Sequence, residues 1–265
     1  MQGVTEFLPI SSSGHLVIFQ ALFGMEEPQV LFDVMLHVGT LAAILIVFRS
    51  DVVQLLRSAL RIAHTGKLGD GDSERMVVAI IVGCVPTVIM GVLFSEHVER
   101  LFASPTAAGI GLIVTGCILM TTFQRNTAAV IQPLANRVGF LHALAIGAAQ
   151  GVALAPGISR SGTTIAVALL LGLPRELAAR FSFLLAAPAI VGALLFEMKD
   201  YSPGNPGSHH IGYAPMLAGA FVAALSGIIA LVFLLRVVKR GKLSNFAYYC
   251  WAVGLLTIAL STLRG

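Results

Sequence analysis

The chain has 265 residues, of which 57% are hydrophobic and 11% are charged, and its mean hydropathy is +0.88. Soluble domains carry roughly 25% charged residues, so this composition excludes a soluble protein and indicates a polytopic membrane protein. The formal net charge of +4 predicts no nucleic-acid partner, because the basic residues occupy short loops and therefore report topology. The cysteines are widely separated and indicate neither a disulfide framework nor a zinc site.

Residues 1–25 do not fit a spanning helix, which needs about 20 mostly apolar residues. A polar Ser/Gly/Pro segment lies here between apolar arms that are too short to cross a membrane. Non-helical polar backbone at membrane depth survives only where protein or a water-filled cavity covers it. We therefore predict a re-entrant helical hairpin with the polar segment at its tip.

Six later segments are long and apolar enough to span the membrane. Gly83 and Pro86 lie in the second of them and predict a kink rather than a break. Residues 51–64 carry two arginines among leucines and valines, a pattern typical of an amphipathic helix at the membrane interface, and residues 65–74 read as a surface loop. The predicted spans are 30–48, 76–95, 105–123, 177–196, 214–236 and 243–262.

Residues 139–173 form a second polar interruption and predict a second re-entrant hairpin. Its tip repeats the first one: the segments 2–15 and 150–163, aligned without a gap, share seven of fourteen residues. Arg160 stands where the first copy has Ser12. One tip therefore offers hydroxyl and acid–base chemistry, and the other offers a cation.

Loop charges predict the orientation of the spans. Loops 49–75 and 236–242 are rich in Lys and Arg, whereas 96–104 and 197–213 hold one each, which makes the first pair cytoplasmic. The hairpins then enter from opposite sides, as in an inverted-topology repeat. We predict an all-α polytopic integral membrane protein with two re-entrant helical hairpins and about six full spanning helices. It forms a single membrane domain, 1–265, with repeat one at about 1–123 and repeat two at about 139–262.

An apolar arm, residues 139–149, precedes Gln150, whereas only Met1 precedes Gln2. We therefore expect that this chain lacks an N-terminal apolar arm before Met1, through truncation or a misplaced start.

The first tip has the residue types of a phosphoryl-transfer site. Pro9 followed by serines predicts a helix start, where free N–H groups favour an anion. His15 follows Ser11 by four residues and Ser12 by three, so either serine can face it across one helical turn and be activated as a nucleophile. Glu6 can orient the imidazole, bind a divalent metal or act as the acid/base itself.

The second tip adds a planar guanidinium, Arg160, which suits phosphate oxygens, with further donors from Ser159, Ser161 and Thr164. Serines in membrane segments also serve close helix packing, an equal alternative for Ser11 and Ser13. We expect structural or solvent-facing roles for the remaining polar and aromatic residues: Asp33 with His37, His209 and His210, Glu176 at a helix start, and an interfacial belt of Tyr248, Tyr249 and Trp251.

The segments QGVTEFLPISSSGHL and PGISRSGTT resemble the two signature motifs of the undecaprenyl-pyrophosphate phosphatase family, also called the bacitracin-resistance protein family. The resemblance covers essentially the whole chain. It implies a multi-pass hydrolase of the bacterial inner membrane, open to the periplasmic side. Such an enzyme removes the terminal phosphate of undecaprenyl pyrophosphate, recycles the lipid carrier for peptidoglycan synthesis and confers bacitracin resistance.

Carried over by motif, the resemblance implies Ser12 as nucleophile with His15 and Glu6 as catalytic partners. It also implies a divalent cation, Mg²⁺ or Ca²⁺; Glu6 is a candidate ligand, whereas Gln2 is a doubtful one because some members carry glutamate there. The residues expected to bind the pyrophosphate are Arg160, Ser159, Ser161, Thr164, Ser11 and Ser13.

Several alternatives stay open at this point. The nucleophile is Ser12, His15 or water. A secondary transporter or lipid flippase can be built on the same inverted repeat. An acid-phosphatase-like lipid phosphatase is disfavoured because no later histidine stands in a matching motif. The expected partners are the polyprenyl lipid, the surrounding membrane and a second copy of the chain in a homodimer.

Overall fold

A computed structural model describes residues 1–23, 30–69, 71–127, 137–199 and 213–264, and these ranges contain helices and no β-strand. The predicted all-α class is therefore confirmed. A short 3₁₀ turn, Leu243–Asn245, precedes the last helix. The α-helices are α1 (Gln2–Thr5), α2 (Ser12–Phe23), α3 (Val30–Val47), α4 (Arg49–Thr65), α5 (Asp72–Leu93), α6 (Ser95–Phe102), α7 (Pro105–Thr127), α8 (Phe140–Val152), α9 (Arg160–Leu170), α10 (Arg175–Lys199), α11 (Tyr213–Lys239) and α12 (Phe246–Arg264).

Five of the described segments are long and apolar enough to cross a membrane: 72–93, 105–123, 175–195, 213–239 and 243–263. A sixth candidate combines α3 and α4, which meet at an angle of 88°. The prediction of about six spans is confirmed, with one difference. Segment 30–48 qualifies as a span only together with α4. The bend lies where the sequence predicted a change from a spanning segment to an interfacial helix.

The amphipathic segment predicted at 51–64 is the helix α4, which has no buried residue. It ends at Gly66, whose φ of 64° is the left-handed conformation that glycine adopts readily at a helix C-terminus. Ion pairs tether it to the bundle, one between Asp51 and Arg180 and another between Arg61 and Glu74. A helix with basic and apolar faces can lie along the bundle end without being enclosed by it.

Two predicted loops are shorter than expected. Helix α5 already begins at Asp72, within the predicted loop 65–74, and α6 occupies most of the predicted loop 96–104. Helix α5 runs through Pro86 without a break, as predicted. Glu176 lies in the first turn of α10, also as predicted, and pairs with Lys239 at 2.8 Å. The pair His209 and His210 lies outside the described residues.

Each polar interruption is a hairpin of two helices joined by a turn. Helices α1 and α2 flank the first turn, and α8 and α9 flank the second. The first arm of each hairpin packs against the long helix of the other half: α1 against α11, and α8 against α5. An inverted repeat predicts such an exchange, because α5 and α11 hold corresponding places in the two halves. The boundaries of the repeats and the missing N-terminal arm stay predictions.

Glycines allow these arms to pack closely. A Cβ on Gly3 would lie 2.3 Å from the carbonyl oxygen of Ala223 on α11, and one on Gly147 would lie 2.0 Å from the carbonyl oxygen of Gly83 on α5. The tips of the two hairpins also touch, since a Cβ on Gly14 would meet the Cα of Gly157 at 2.8 Å. Small residues at such crossings let helices approach to backbone contact. The fold therefore brings the two sequence motifs to one place.

Candidate active site

The two tips have the same local hydrogen bonds. The N–H of Gly14 donates to Ser11 Oγ at 3.2 Å, and the N–H of Gly162 donates to Ser159 Oγ at 3.2 Å. In each tip the capping serine also contacts the hydroxyl of the serine two residues later, at 3.2 and 3.3 Å. A serine oxygen that accepts from the third residue of a helix is the usual N-cap arrangement. The helix start predicted after Pro9 is confirmed, and the second tip repeats its local hydrogen bonds.

The backbone at the two capping serines differs. Ser11 has a φ of +63°, the one positive φ at a non-glycine residue in the described ranges, whereas Ser159 has a φ of −72°. A left-handed residue with a side chain costs about 1–3 kcal/mol and persists only where its surroundings hold it. The carbonyl of Ser11 accepts a hydrogen bond from His15 Nδ1 at 2.8 Å. The imidazole of His15 is therefore hydrogen-bonded directly to the residue with the strained backbone.

Ser12, Glu6 and Arg160 form a connected set across the two tips. The Ser12 hydroxyl donates to Glu6 Oε2 at 2.5 Å, and Glu6 Oε1 lies 3.8 Å from Arg160 Nη2. The Glu6 side chain is 7% exposed and that of Arg160 is 25% exposed. A buried carboxylate needs a positive partner and hydrogen-bond donors, and both are supplied here. The predicted convergence of the two motifs is confirmed in the fold.

The contact between a serine hydroxyl and His15 that the spacing permits is not formed in this structure. Ser12 turns its hydroxyl to Glu6, and His15 contacts Ser11 through the backbone carbonyl. Because a carbonyl only accepts hydrogen bonds, Nδ1 of His15 carries a proton, and in the tautomer with that single proton Nε2 is an acceptor. The spacing along a helix permits a serine–histidine contact, but the Ser12 hydroxyl donates its hydrogen bond to the Glu6 carboxylate instead.

Tyr249 is a site residue that the sequence did not indicate. We expected it in an interfacial belt, but its hydroxyl lies 2.8 Å from His15 Nε2 and its ring stacks on the imidazole. In the tautomer with a proton on Nδ1 alone, the tyrosine is the donor of this hydrogen bond. Its neighbour Tyr248 is 65% exposed and packs edge-on against Trp251, in keeping with the predicted belt. No local signal distinguishes the two tyrosines.

Gln2 links Glu6 to a second histidine. Its Nε2 donates to Glu6 Oε2 at 3.1 Å and lies 3.2 Å from His37 Nε2. Nδ1 of His37 donates to the backbone carbonyl of Asp33 at 2.9 Å, so Nε2 accepts from Gln2. His37, for which we expected a structural role, thus holds the amide that contacts the central carboxylate.

The other predicted ligands are partly engaged with backbone. Thr164 Oγ1 donates to the carbonyl of Arg160 at 2.8 Å, and Ser161 Oγ lies 3.4 Å from the carbonyl of Leu8. A narrow cleft nevertheless opens beside Glu6 and Arg160, and its lining includes polar and apolar residues. It is lined by Glu6, Phe7, Ile44, Arg160, Ser161, Thr164, Ser182, Phe183, Ala186 and Ile190.

Comparison with known proteins places this chain among characterised families. A family model described as bacitracin resistance protein BacA matches residues 1–256. The chain belongs to this family. The undecaprenyl-diphosphatase of Desulfatibacillum aliphaticivorans is 46% identical over 263 residues, which cover 96% of this chain and 93% of that relative.

Two further relatives carry the same name. The undecaprenyl-diphosphatase of Desulfosudis oleivorans is 46% identical over 267 residues, covering 97% of this chain and 94% of the relative. That of Carboxydothermus hydrogenoformans is 40% identical over 260 residues, covering 98% and 94%. All three names describe a phosphatase, so nothing in them favours the transporter or flippase alternative.

The guanidinium of the arginine in the second tip is only partly engaged. Nη1 of Arg160 is buried without a hydrogen-bond partner among the described residues. A guanidinium presents a planar fork of donors that matches two phosphate oxygens. One arm of the fork therefore faces Glu6, and the other has no hydrogen-bond partner in the described part of the chain.

The described residues contain no group of three or more His, Cys, Asp or Glu side chains that could hold a metal ion. Glu6 is the carboxylate at the centre of the site, and Gln2 turns an amide N–H toward it. Magnesium is often bound through one or two carboxylates together with substrate phosphates. The donor set around Glu6 fits that mode and does not form a complete protein cage.

Proposed function

We propose that this chain hydrolyses undecaprenyl pyrophosphate to undecaprenyl phosphate and inorganic phosphate. The observation that carries the proposal is the 2.5 Å hydrogen bond from the Ser12 hydroxyl to Glu6, beside the guanidinium of Arg160. This arrangement supports roles for Ser12 as nucleophile, Glu6 as base and Arg160 as the phosphate-binding cation. The names of the relatives support the same reaction. The product is the lipid carrier used in peptidoglycan synthesis, and its recycling would confer resistance to bacitracin.

The geometry favours Ser12 as the nucleophile and Glu6 as its base. Glu6 takes the hydroxyl proton while Ser12 Oγ bonds to the terminal phosphorus, and the bond from that phosphorus to the bridging oxygen breaks. Undecaprenyl phosphate leaves with the electron pair and takes up the proton held by Glu6, so that the carboxylate is free again for the second step. Water then attacks the phosphoserine with its proton passing to Glu6, the phosphorus–Oγ bond breaks, and serine recovers a proton as inorganic phosphate leaves.

Arg160 binds and orients the pyrophosphate and compensates its charge. Phosphoryl transfer depends mainly on positioning and electrostatic stabilisation, because the charge is spread over the equatorial oxygens. Donors that stand ready before the reaction need no rearrangement during it. The side chain comes from the second tip, so the reaction requires both motifs.

His15 holds the catalytic turn rather than attacking phosphorus. Both ring nitrogens are engaged, Nδ1 with the Ser11 carbonyl and Nε2 with the Tyr249 hydroxyl. A nitrogen that accepts a hydrogen bond has no free lone pair for a nucleophilic attack. Through Ser11, the imidazole stabilises the strained backbone immediately before Ser12.

The divalent cation implied by the family, Mg²⁺ or Ca²⁺, fits beside Glu6, with most of its oxygen ligands supplied by the substrate and water. When bound, it would neutralise phosphate charge. Gln2 presents its amide N–H to Glu6 and is not needed as a ligand. Binding of Mn²⁺, followed by its electron paramagnetic resonance signal with a pyrophosphate analogue present, checks this role, and Glu6→Gln is expected to weaken the binding.

The multi-pass chain is proposed to lie in a bacterial inner membrane with the site open to the periplasm, supported by the basic loops at 49–75 and 236–242. Two exposed positions test the orientation in a cysteine-free background: His97→Cys on α6 and Lys67→Cys in the opposite loop. A membrane-impermeant thiol reagent applied to whole cells should label the first and spare the second. Homodimer formation stays a prediction.

The decisive experiment is phosphate release from undecaprenyl pyrophosphate by the purified chain in detergent with Mg²⁺ or Ca²⁺. We expect turnover by the wild type and its loss in Ser12→Ala and in Arg160→Ala. Arg57→Ala, on the exposed helix α4, is the control and should retain activity. Absence of release by folded wild-type protein would overturn the proposal.

A further inference from the structure

Ser182 on α10 has a buried hydroxyl for which the reaction described above gives no role. The residue is 2% exposed, and its Oγ has no hydrogen-bond partner among the described residues. An unpaired buried hydroxyl is unfavourable, and most buried polar atoms in folded proteins have a partner. Such an atom therefore indicates either a packing cost or a ligand that supplies the missing partner.

The surroundings of Ser182 favour a ligand. It lines the same cleft as Arg160, whose buried Nη1 is also without a partner in the described chain. Nη2 of the same guanidinium faces Glu6, so the unpaired arm is the one left for another group. Two unpaired donors in one cleft, one of them cationic, match the several acceptor oxygens of a phosphate.

Part of the lining of the cleft is apolar. Ile44, Phe183, Ala186 and Ile190 line it together with Phe7. A free inorganic anion gains nothing from such a lining, whereas a phosphate that carries a hydrocarbon chain can bury the first carbons of the chain there. The combination is complementary to the headgroup end of a prenyl phosphate.

We propose that Ser182 is a substrate-binding residue whose hydroxyl donates to a phosphate oxygen of the prenyl pyrophosphate held by Arg160 Nη1. The inference rests on the proposed function for the identity of the lipid. It adds a residue from α10 to a site otherwise built from the two hairpin tips. The cleft then recognises the phosphate and the adjacent hydrocarbon together.

Thr163 supplies a matched control. Its Oγ1 is likewise buried without a partner among the described residues, but Thr163 does not line the cleft. Removing either hydroxyl leaves no other group unpaired, so Ser182→Ala and Thr163→Val are both expected to fold with unchanged or slightly raised thermal stability. A difference in ligand binding between them reports on the cleft alone.

The test is calorimetric binding of two probes that the protein cannot turn over: methylenediphosphonate and its farnesyl ester, in which CH₂ replaces the bridging oxygen. We expect the farnesyl ester to bind the wild type more tightly because of the apolar lining. Ser182→Ala should lower the affinity for both probes by about tenfold, which corresponds to the loss of one hydrogen bond to a charged group. Thr163→Val should leave both affinities within about twofold.

Equal affinities in wild type and Ser182→Ala, or an equal loss in Thr163→Val, would overturn the assignment. If Ser182→Ala lowers the affinity for methylenediphosphonate but not for its farnesyl ester, the cleft is a site for free anions, and this result would contradict the lipid ligand. Absence of binding to the wild type would also overturn the assignment. Phosphate release from undecaprenyl pyrophosphate is measured separately. If the probes bind through Ser182 but the wild type releases no phosphate from that lipid, the proposed function is wrong and this inference stands.

Discussion

The hydroxyl of Tyr249 lies 2.8 Å from Nε2 of His15, and the two rings stack with centroids 5.8 Å apart and planes 8° apart. The residues are 234 positions apart in the chain. Since His15 Nδ1 donates to the Ser11 carbonyl, the imidazole is held at both nitrogens. Helix α12 thus helps to position the backbone that precedes Ser12.

Tyr249→Phe removes this hydrogen bond and keeps the stacked ring. We expect the turnover number to fall about tenfold, with little change in KM, because the positioning of the turn is weakened while the phosphate ligands remain. Steady-state phosphate release checks this expectation. Tyr248→Phe is the matched control, since that ring is exposed and contacts Trp251. An equal effect of both substitutions would contradict the positioning role.

Glu6→Gln keeps the shape of the side chain but removes the base that faces Ser12. We expect turnover to fall about 10²- to 10⁴-fold, the usual contribution of a general base. The control is Glu74→Gln, because Glu74 is also a shielded carboxylate paired with an arginine, Arg61, but lies at the start of α5. That variant should lose thermal stability and keep its activity. Full turnover by Glu6→Gln would exclude the carboxylate as the base.

Ser11→Gly and Ser159→Gly probe the different backbones of the two equivalent caps. Glycine adopts a positive φ without strain, so in Ser11→Gly the relief of backbone strain should offset the loss of the N-cap hydrogen bond. The free energy of unfolding should therefore stay equal or rise by up to about 1 kcal/mol. At Ser159, with a φ of −72°, glycine relieves no strain and should lower stability by about 1 kcal/mol. Thermal unfolding in detergent compares the two, and equal losses would argue against strain at Ser11.

Gly14→Ala tests the contact between the hairpin tips. The added methyl group would lie 2.8 Å from the Cα of Gly157, which is backbone and cannot rotate away. We expect the tips to separate, with loss of activity and a lower melting temperature. Gly192→Ala on α10 is the control, because nothing lies within 4 Å of its added Cβ, and a helical glycine replaced by alanine gains up to about 1 kcal/mol. A fully active Gly14→Ala enzyme would show that this close approach is dispensable.

Much of the architecture follows from the sequence. The bilayer sets the length of a spanning helix, so apolar runs locate the spans to within a few residues. Ser, Gly and Pro at membrane depth indicate hairpins because unpaired backbone must be covered by protein or water. Ionisable residues such as Glu6 and Arg160 are costly in an apolar chain, and this cost points to their function.

Other features were decided only by tertiary packing. The sequence determined which residues form the two tips and that they carry a carboxylate, serines and an arginine. It did not determine that Ser12 contacts Glu6 rather than His15, that Tyr249 rather than Tyr248 enters the site, or that Ser182 lines the cleft. Periodicity and composition report the environment of a residue along its own helix. The partner of a side chain depends on how helices distant in the chain pack together, because hydrogen bonds form only over about 3 Å.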